Sequence, residues 1–348
     1  MRSYKPYIIK LCIVFLCFWG WILTSYAQKV ETNDYFYVLN TQQGLSDNCI
    51  LQMMQLADGR LAVRTPKGIN LYDGRQFTLI PLSAEKAESI TKYKGQTHLY
   101  ADSQDRLWVK EYQKIFCILL AEGRLLEHPL DALPENGKVD KMKMMRNGPT
   151  RNAIQDLFVD SRKNVWVVMG DSLLNTQDGN LIHLKKEWGG LQDLDTDGKQ
   201  VYAFMDSGIV AVFQKDKLVY TTSAYSAAEA QHYRNTSLTV QTPSGQFYQI
   251  RTGRDKKNKT DASIFLHFNP ETRKYSRIFA CDYILHTLNM SSDNQALISC
   301  QHGYLMFDFK LGTAPREVKE LSLPDGKSLT TGINTVYRDK EGAIWLGT

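Results

Sequence analysis

The chain has 348 residues, 43% of them hydrophobic, enough to bury either one large all-β domain or two ordinary ones. Its formal charge of +5 falls to +2 once the first 27 residues are set aside, because they hold three of the 42 basic residues and none of the 37 acidic ones. So small an excess gives no ground for a nucleic-acid binder, and none is expected to contact this region.

Residues 1–27 read as a signal peptide. Arg2, Lys5 and Lys10 form a positive segment, Leu11 to Leu23 is apolar, and Ser25-Tyr26-Ala27 places small residues at the two positions that a signal peptidase reads, so cleavage is expected before Gln28. A retained anchor helix is the weaker reading, since the uncharged run from Leu11 to Ala27 is only 17 residues and barely spans ~30 Å of hydrocarbon. Neither Cys12 nor Cys17 follows the small residue that a lipoprotein site needs. A periplasmic location follows for residues 28–348, which are read as one domain.

After a strand-like segment, Tyr35-Phe36-Tyr37-Val38-Leu39, comes a four-strand unit: Cys49 to Gln55, Arg60 to Arg64, Gly68 to Tyr72 and Gln76 to Ile80. Asp58-Gly59 and Asp73-Gly74 mark its tight hairpins. A polar turn followed by a strand with a bulky residue then recurs. The sharpest copies are Asp105 to Val109, Lys163 to Val167 and Gly342 to Leu346, and weaker ones lie at Gly59 to Val63, Gly198 to Ala203, Gly245 to Tyr248 and Asn294 to Ile298. With Ala62, Trp108, Trp166, Tyr202, Tyr248, Leu297 and Trp345 taken as equivalent, the seven copies are spaced about 47 residues apart on average. Aromatic residues (18 Tyr, 14 Phe, 6 Trp) are spread along the whole chain, and long helical periodicity is absent.

These features predict an all-β fold, a seven-bladed β-propeller of four-stranded antiparallel blades. Gly68, Gly208 and Gly303 open the third strand of their units, where the reversal calls for positive φ. The seventh unit stops at Thr348 after its second strand, so the last blade is expected to be truncated and the sequence to be a piece of a longer chain or the product of a truncated gene. The Tyr35–Leu39 segment is expected to help close the ring.

Four cysteines follow the signal peptide: Cys49, Cys117, Cys281 and Cys300. They lack metal-type spacing and sit in apolar runs, which suits buried free thiols; an oxidising compartment would permit a disulfide, but the sequence does not choose a pairing. The seven histidines, at 98, 128, 183, 232, 267, 286 and 302, lack the short gaps of a metal site, and no cofactor is expected. Asp102, Asp160 and Asp339 recur with the repeat, as turn formers do. No nucleophile elbow or phosphate loop is present.

In an antiparallel four-strand blade the second-to-third and fourth-to-first connections emerge on one face, so distant residues converge there. The expected ligand-binding set on that face is Arg64, Lys67, Lys110, Tyr112, Arg251 and Arg254. Arginine can pair two donors with a carboxylate or sulfate and tyrosine can stack on a sugar ring, so if the ligand is an oligosaccharide these residue types favour acidic sugars over neutral ones. Two basic excursions, Arg251 to Asp261 and Pro129 to Asn152, extend the face. For any one of these residues a solvated surface charge is the plainer reading.

The phrases Gly44-Leu45-Ser46-Asp47-Asn48, Gly68-Ile69-Asn70-Leu71-Tyr72-Asp73-Gly74 and Asp339-Lys340-Glu341-Gly342-Ala343-Ile344-Trp345-Leu346-Gly347-Thr348 resemble the two-component regulator propeller repeat. The resemblance runs over nearly all of residues 34–348 and is sharp in the first and last copies. It implies the periplasmic sensor region of a hybrid two-component system, dimeric in full-length form, which detects oligosaccharides and regulates glycan-utilisation genes through a membrane span and a kinase beyond this chain. No kinase motif occurs in the sequence itself, so a non-enzymatic module is expected. The rivals are a propeller-type glycosidase or polysaccharide lyase and a protein-docking scaffold.

Overall fold

The computed structural model describes residues 36–135, 139, 154–226, 229, 232–233, 236–254 and 260–348. The signal-peptide reading, the lysines and arginines of 138–151 and the tip of the Arg251 to Asp261 loop lie outside them. No helix among the described residues is long and apolar enough to cross a membrane.

The chain divides into two units. In the smaller, Phe36, Tyr37 and Ser322–Ser328 are described; Phe36 N donates to Ser322 O at 3.0 Å, and Leu323 N donates to Lys327 O at 2.8 Å across a turn. The larger holds every blade, with strands A to D counted outward from the axis. Blade 1 is Gln52–Gln55, Leu61–Thr65, Gly68–Tyr72 and Phe77–Pro81. Blade 2 has His98–Ala101, Arg106–Glu111 and Lys114–Leu119, with its outer position shared by Arg124–Leu125 and Glu88–Ser89. Blade 3 is Asp156–Val159, Val165–Met169, Ser172–Asn175 and Leu181–His183; blade 4 is Leu191–Thr196, Val201–Met205, Ile209–Gln214 and Lys217–Ser223. Blade 5 is Thr236–Gln241, Phe247–Arg254, Asp261–Asn269 and Lys274–Cys281; blade 6 is Leu285–Ser292, Gln295–Cys300, Gly303–Asp308 and Arg316–Val318.

The expected seven-bladed propeller is corrected to one of six blades. The seventh repeat unit yields only Thr335–Arg338 and Ile344–Gly347, a two-stranded sheet. Counting the turn-and-Trp motif counts second strands, and Trp345 provides that motif without the two outer strands a blade requires. The hairpin sits between blades 6 and 1. Val336 N donates to Thr287 Oγ1 at 3.1 Å and Arg338 N to Asn289 Oδ1 at 3.1 Å, while Thr335 Oγ1 donates to Gln52 Oε1 at 2.7 Å on the other side. Residues 36–40 form no strand, so the expected closing strand is not formed by them.

The core lies in the seams between blades. Ala62, Ile69 and Leu71 of blade 1 pack on Leu107, Val109 and Phe116 of blade 2, and Phe158, Trp166 and Leu173 of blade 3 pack on Ala203, Met205 and Phe213 of blade 4. A sheet covered on both faces needs nearly continuous apolar strands, which explains the weak alternation in strands B and C. At Gly208 (φ +90°) and Gly303 (φ +127°) the turn into strand C uses the left-handed region, and a Cβ there would run into the Tyr225 ring or Val318 O.

One hydrogen bond recurs with the repeat. Trp108, Trp166 and Trp345 donate their indole Nε1–H to Asp102, Asp160 and Asp339 at 2.7, 2.8 and 2.7 Å, each carboxylate lying six residues earlier at the end of strand A. The same carboxylates accept turn amides, Asp160 Oδ1 from Asn164 N at 2.9 Å and Asp339 Oδ1 from Ala343 N at 2.7 Å. Blade 4 uses Tyr202 OH to Asp197 Oδ2 at 2.9 Å instead. Asp160→Ala strands a buried indole N–H and frees the turn. A loss of about 2–3 kcal/mol is expected in chemical denaturation, against less than about 1 kcal/mol for Asp73→Ala, whose acceptor role is solvent-exposed.

Candidate functional site

Strands A of the six blades and the hairpin line the axis. Their ends on the B–C and D–A face surround a narrow cleft lined by Gln52 of blade 1, Tyr93 and Gly95 to His98 before and in blade 2, Gln192 of blade 4, Leu238 and Ile250 of blade 5, and Leu285 to Thr287 of blade 6. The lining is amide, imidazole, phenol and aliphatic, without a formal charge.

The segment Ile90 to Thr97 reaches across this mouth. Lys92 N donates to Gln155 O at 3.0 Å and Gln113 N to Tyr93 O at 3.0 Å, which ties the segment to blades 3 and 2. Tyr93 OH donates to Gln96 O, and the Gln96 amide meets His286 Nδ1 of blade 6 at 3.3 Å. The His98 ring stacks on Tyr100 (5.8 Å between centroids, 10° between planes) and meets Tyr93 edge-on. His98 keeps part of its surface open toward the axis, yet the protein around it and the nearby Lys110 ammonium bring its pKa down to about 3. It is a neutral imidazole at physiological pH.

Below the mouth lies a charged layer. Lys110 is fully buried; its Nζ is 3.0 Å from Asp156 Oδ1 and stands over the rings of Phe158 (3.8 Å), Tyr93 (4.3 Å) and Tyr100 (5.6 Å). Burial lowers the Lys110 pKa and raises that of Asp156, and their mutual attraction opposes both shifts. Asp193, in strand A of blade 4, accepts from Leu194 N at 2.9 Å and from Thr239 N of blade 5 at 2.6 Å. Burial raises its pKa to about 7, against the pull of those two amides and of Lys110.

The six residues expected to bind ligand divide into two groups. Arg64, Lys110 and Arg251 are buried and join adjacent blades: Arg64 Nε contacts Glu111 Oε1 at 2.5 Å, Lys110 holds Asp156, and Arg251 donates to Met205 O at 3.0 Å and Asp206 O at 2.8 Å. They form no common exposed patch. Lys67 and Tyr112 are exposed on the B–C connections of blades 1 and 2, and Arg254 is exposed at the end of strand B of blade 5. Sequence reasoning passed over Tyr93, Gln96, Gln192 and His286. Their only sequence signal is position, at or just before the start of a strand A. Among the described residues no group of three or more His, Cys, Asp or Glu is placed to hold a metal.

No protein-family model matches the sequence, and no curated protein is similar to it. The fold is similar to the extracellular domain of BT4673 from B. thetaiotaomicron, named a hybrid two component system in one structure and a one component system in another. The structure named a hybrid two component system superposes with a TM-score of 0.55 at 12% identity over 90% of this chain and 41% of that one; the structure named a one component system gives 0.55 at 11% over 89% and 41%. This chain thus spans about two fifths of their length. A WD40 β-propeller domain of Doa1 superposes with a TM-score of 0.52 at 12% identity, covering 87% of this chain and 90% of that domain. At such identities the likeness is one of fold.

Proposed function

We propose that this chain is the ligand-sensing propeller of an exported two-component regulator, working by binding rather than catalysis, and that its ligand is an oligosaccharide held at the mouth of the central channel. The observation that carries the reading is the convergence of Gln52, Tyr93, Gln96, His98, Gln192, His286 and Thr287 from four blades on one uncharged cleft. Amides and neutral imidazoles match the paired donor and acceptor character of sugar hydroxyls, and a phenol ring can lie against a sugar face. The likeness to the BT4673 extracellular domain and the repeat phrases of the sequence support the signalling context. Arg64, Lys110 and Arg251 are paired inside the seams, which removes three of the five expected cations from the ligand face. A neutral ring in the cleft fits better.

A sensor must bind its ligand with different affinity in its two states, because equal affinity shifts no equilibrium. Displacement of the Gln96–His286 contact would supply that difference here. Titration calorimetry of the full chain against neutral and acidic oligosaccharides tests the reading. Gln96→Ala and His286→Ala are each expected to weaken binding about fivefold, one net hydrogen bond of about 1 kcal/mol. Absence of binding across the panel, or affinity unchanged by both substitutions, overturns the site; tight capture of another exported protein without sugar binding favours the docking scaffold.

A further inference from the structure

The seam between blades 5 and 6 brings together two cysteines, Cys281 and Cys300. In blade 5, Cys281 is the register partner of Ser263 across strands D and C, and directly opposed residues of an antiparallel pair point to the same face. Ser263 Oγ accepts from Leu285 N at 3.1 Å, so that face looks toward blade 6. In blade 6, Ser299 Oγ donates to Asn334 O at 3.2 Å, on the side of the two-stranded hairpin. The next residue, Cys300, therefore faces back toward blade 5.

Packing agrees with this geometry. Cys300 is fully buried in a cluster with Tyr248, Ile250 and Phe265 of blade 5, and Cys281 packs against the same cluster. The connections beyond them also touch: the Tyr283 ring meets the His302 ring edge-on at 5.6 Å, and Cys281 Sγ donates to Tyr283 O at 3.4 Å. The two thiols are near enough for each to act electrostatically on Tyr283, and Cys300 on Cys281. Cys49 is exposed on its own near blade 1, and Cys117 is sealed in the seam of blades 2 and 3.

We propose that Cys281 and Cys300 form a dithiol modification site, closed to a disulfide by exchange with an external small-molecule or protein disulfide. Cys281, the partly exposed member, loses its proton to solvent and attacks one sulfur of the external disulfide, releasing one external thiolate. Cys300, deprotonated in turn, attacks Cys281 Sγ and displaces the second. The chain is oxidised by two electrons, the external disulfide is reduced by two, and two protons leave. Burial raises the Cys281 pKa to about 11 and that of Cys300 as well, so exchange is slow at neutral pH and faster in mild alkali. Closure ties strand D of blade 5 to strand B of blade 6, directly behind Leu285, which lines the cleft. The proposal stands without any ligand for that cleft.

The test incubates the full chain with oxidised glutathione in mild alkali, then alkylates it with iodoacetamide in denaturant and digests it with trypsin. No Lys or Arg lies between Arg277 and Lys310, so residues 278–310 form one peptide that contains both cysteines. That peptide is expected to emerge unalkylated and lighter by two hydrogens, with the melting temperature of the oxidised protein raised and restored by dithiothreitol. In Cys281→Ser the remaining thiol is expected to be fully alkylated. Two alkyl groups on the wild-type peptide, a stable glutathione adduct on Cys281, or a bridge from either residue to Cys49 or Cys117 overturns the proposal.

Discussion

Lys110→Met is expected to destabilise the protein by about 3–5 kcal/mol, the range for removing one partner of a buried ion pair. The native ammonium is held by Asp156 Oδ1 at 3.0 Å and by three aromatic faces, with no exposed surface. Methionine fills most of the same volume but leaves Asp156 buried with only the Leu157 amide, 2.7 Å from the same oxygen, to stabilise its charge. The damage comes from the stranded carboxylate more than from the lost attraction. Lys110→Met combined with Asp156→Asn keeps an oxygen for the Leu157 amide and removes the charge, so most of the loss should be recovered. Urea denaturation of both variants decides the matter. A double variant as unstable as the single one would show that Lys110 acts through its contacts with the rings instead.

Local structure was readable wherever it depends on turn chemistry. The four strands of blade 1 fall within a few residues of their expected positions because Asp58-Gly59, Asp73-Gly74 and Gly68 fix the reversals. Asp102, Asp160 and Asp339 are the turn formers the repeat implied, and the structure adds their bond to the indole six residues on. The blade count was misjudged because a motif confined to strand B cannot report strands C and D. The basic residues were misplaced for a different reason. A cation at the end of strand B can run outward to solvent or fold back into a seam, and its neighbours in sequence are the same in both cases. The partner carries the missing information. Arg64 and Glu111 are 47 residues apart, Lys110 and Asp156 46, and Arg251 and its acceptor Met205 46. Each separation is one repeat, the spacing of groups that meet across adjacent blades. A cation and a carboxylate one period apart therefore signal a seam pair, and that reading would have removed Arg64 and Lys110 from the binding face.

Wild-type stability relative to Asp193→Asn is expected to be greatest below about pH 4 and to fall as the pH rises through about 7. The Asp193 carboxyl has its ordinary pKa of 3.8 when unfolded and about 7 in the fold, so between these values the folded protein holds a proton that the unfolded chain has released. Stability then declines with pH, the reverse of the behaviour of a salt-bridged carboxylate. The rise from 3.8 to about 7 sets a ceiling of about 4 kcal/mol, since each tenfold change in proton affinity is worth about 1.4 kcal/mol. Lys110 and the amides of Leu194 and Thr239 favour the charged form and Asp195 opposes it, but burial is the largest effect. His98 works the other way: its folded value of about 3 lies below the unfolded 6.5, so its contribution grows with pH over nearly the same range. Because His98 is present in both proteins, it cancels in the difference. Asparagine retains one acceptor oxygen and leaves one of the two amides unpaired, a fixed loss of about 1–3 kcal/mol that does not titrate. Paired denaturation curves from pH 4 to 8 isolate the carboxyl. A difference that stays flat, or that grows with pH, would mean that the two amides hold Asp193 ionised throughout and that the layer below the channel mouth carries its full charge in acid.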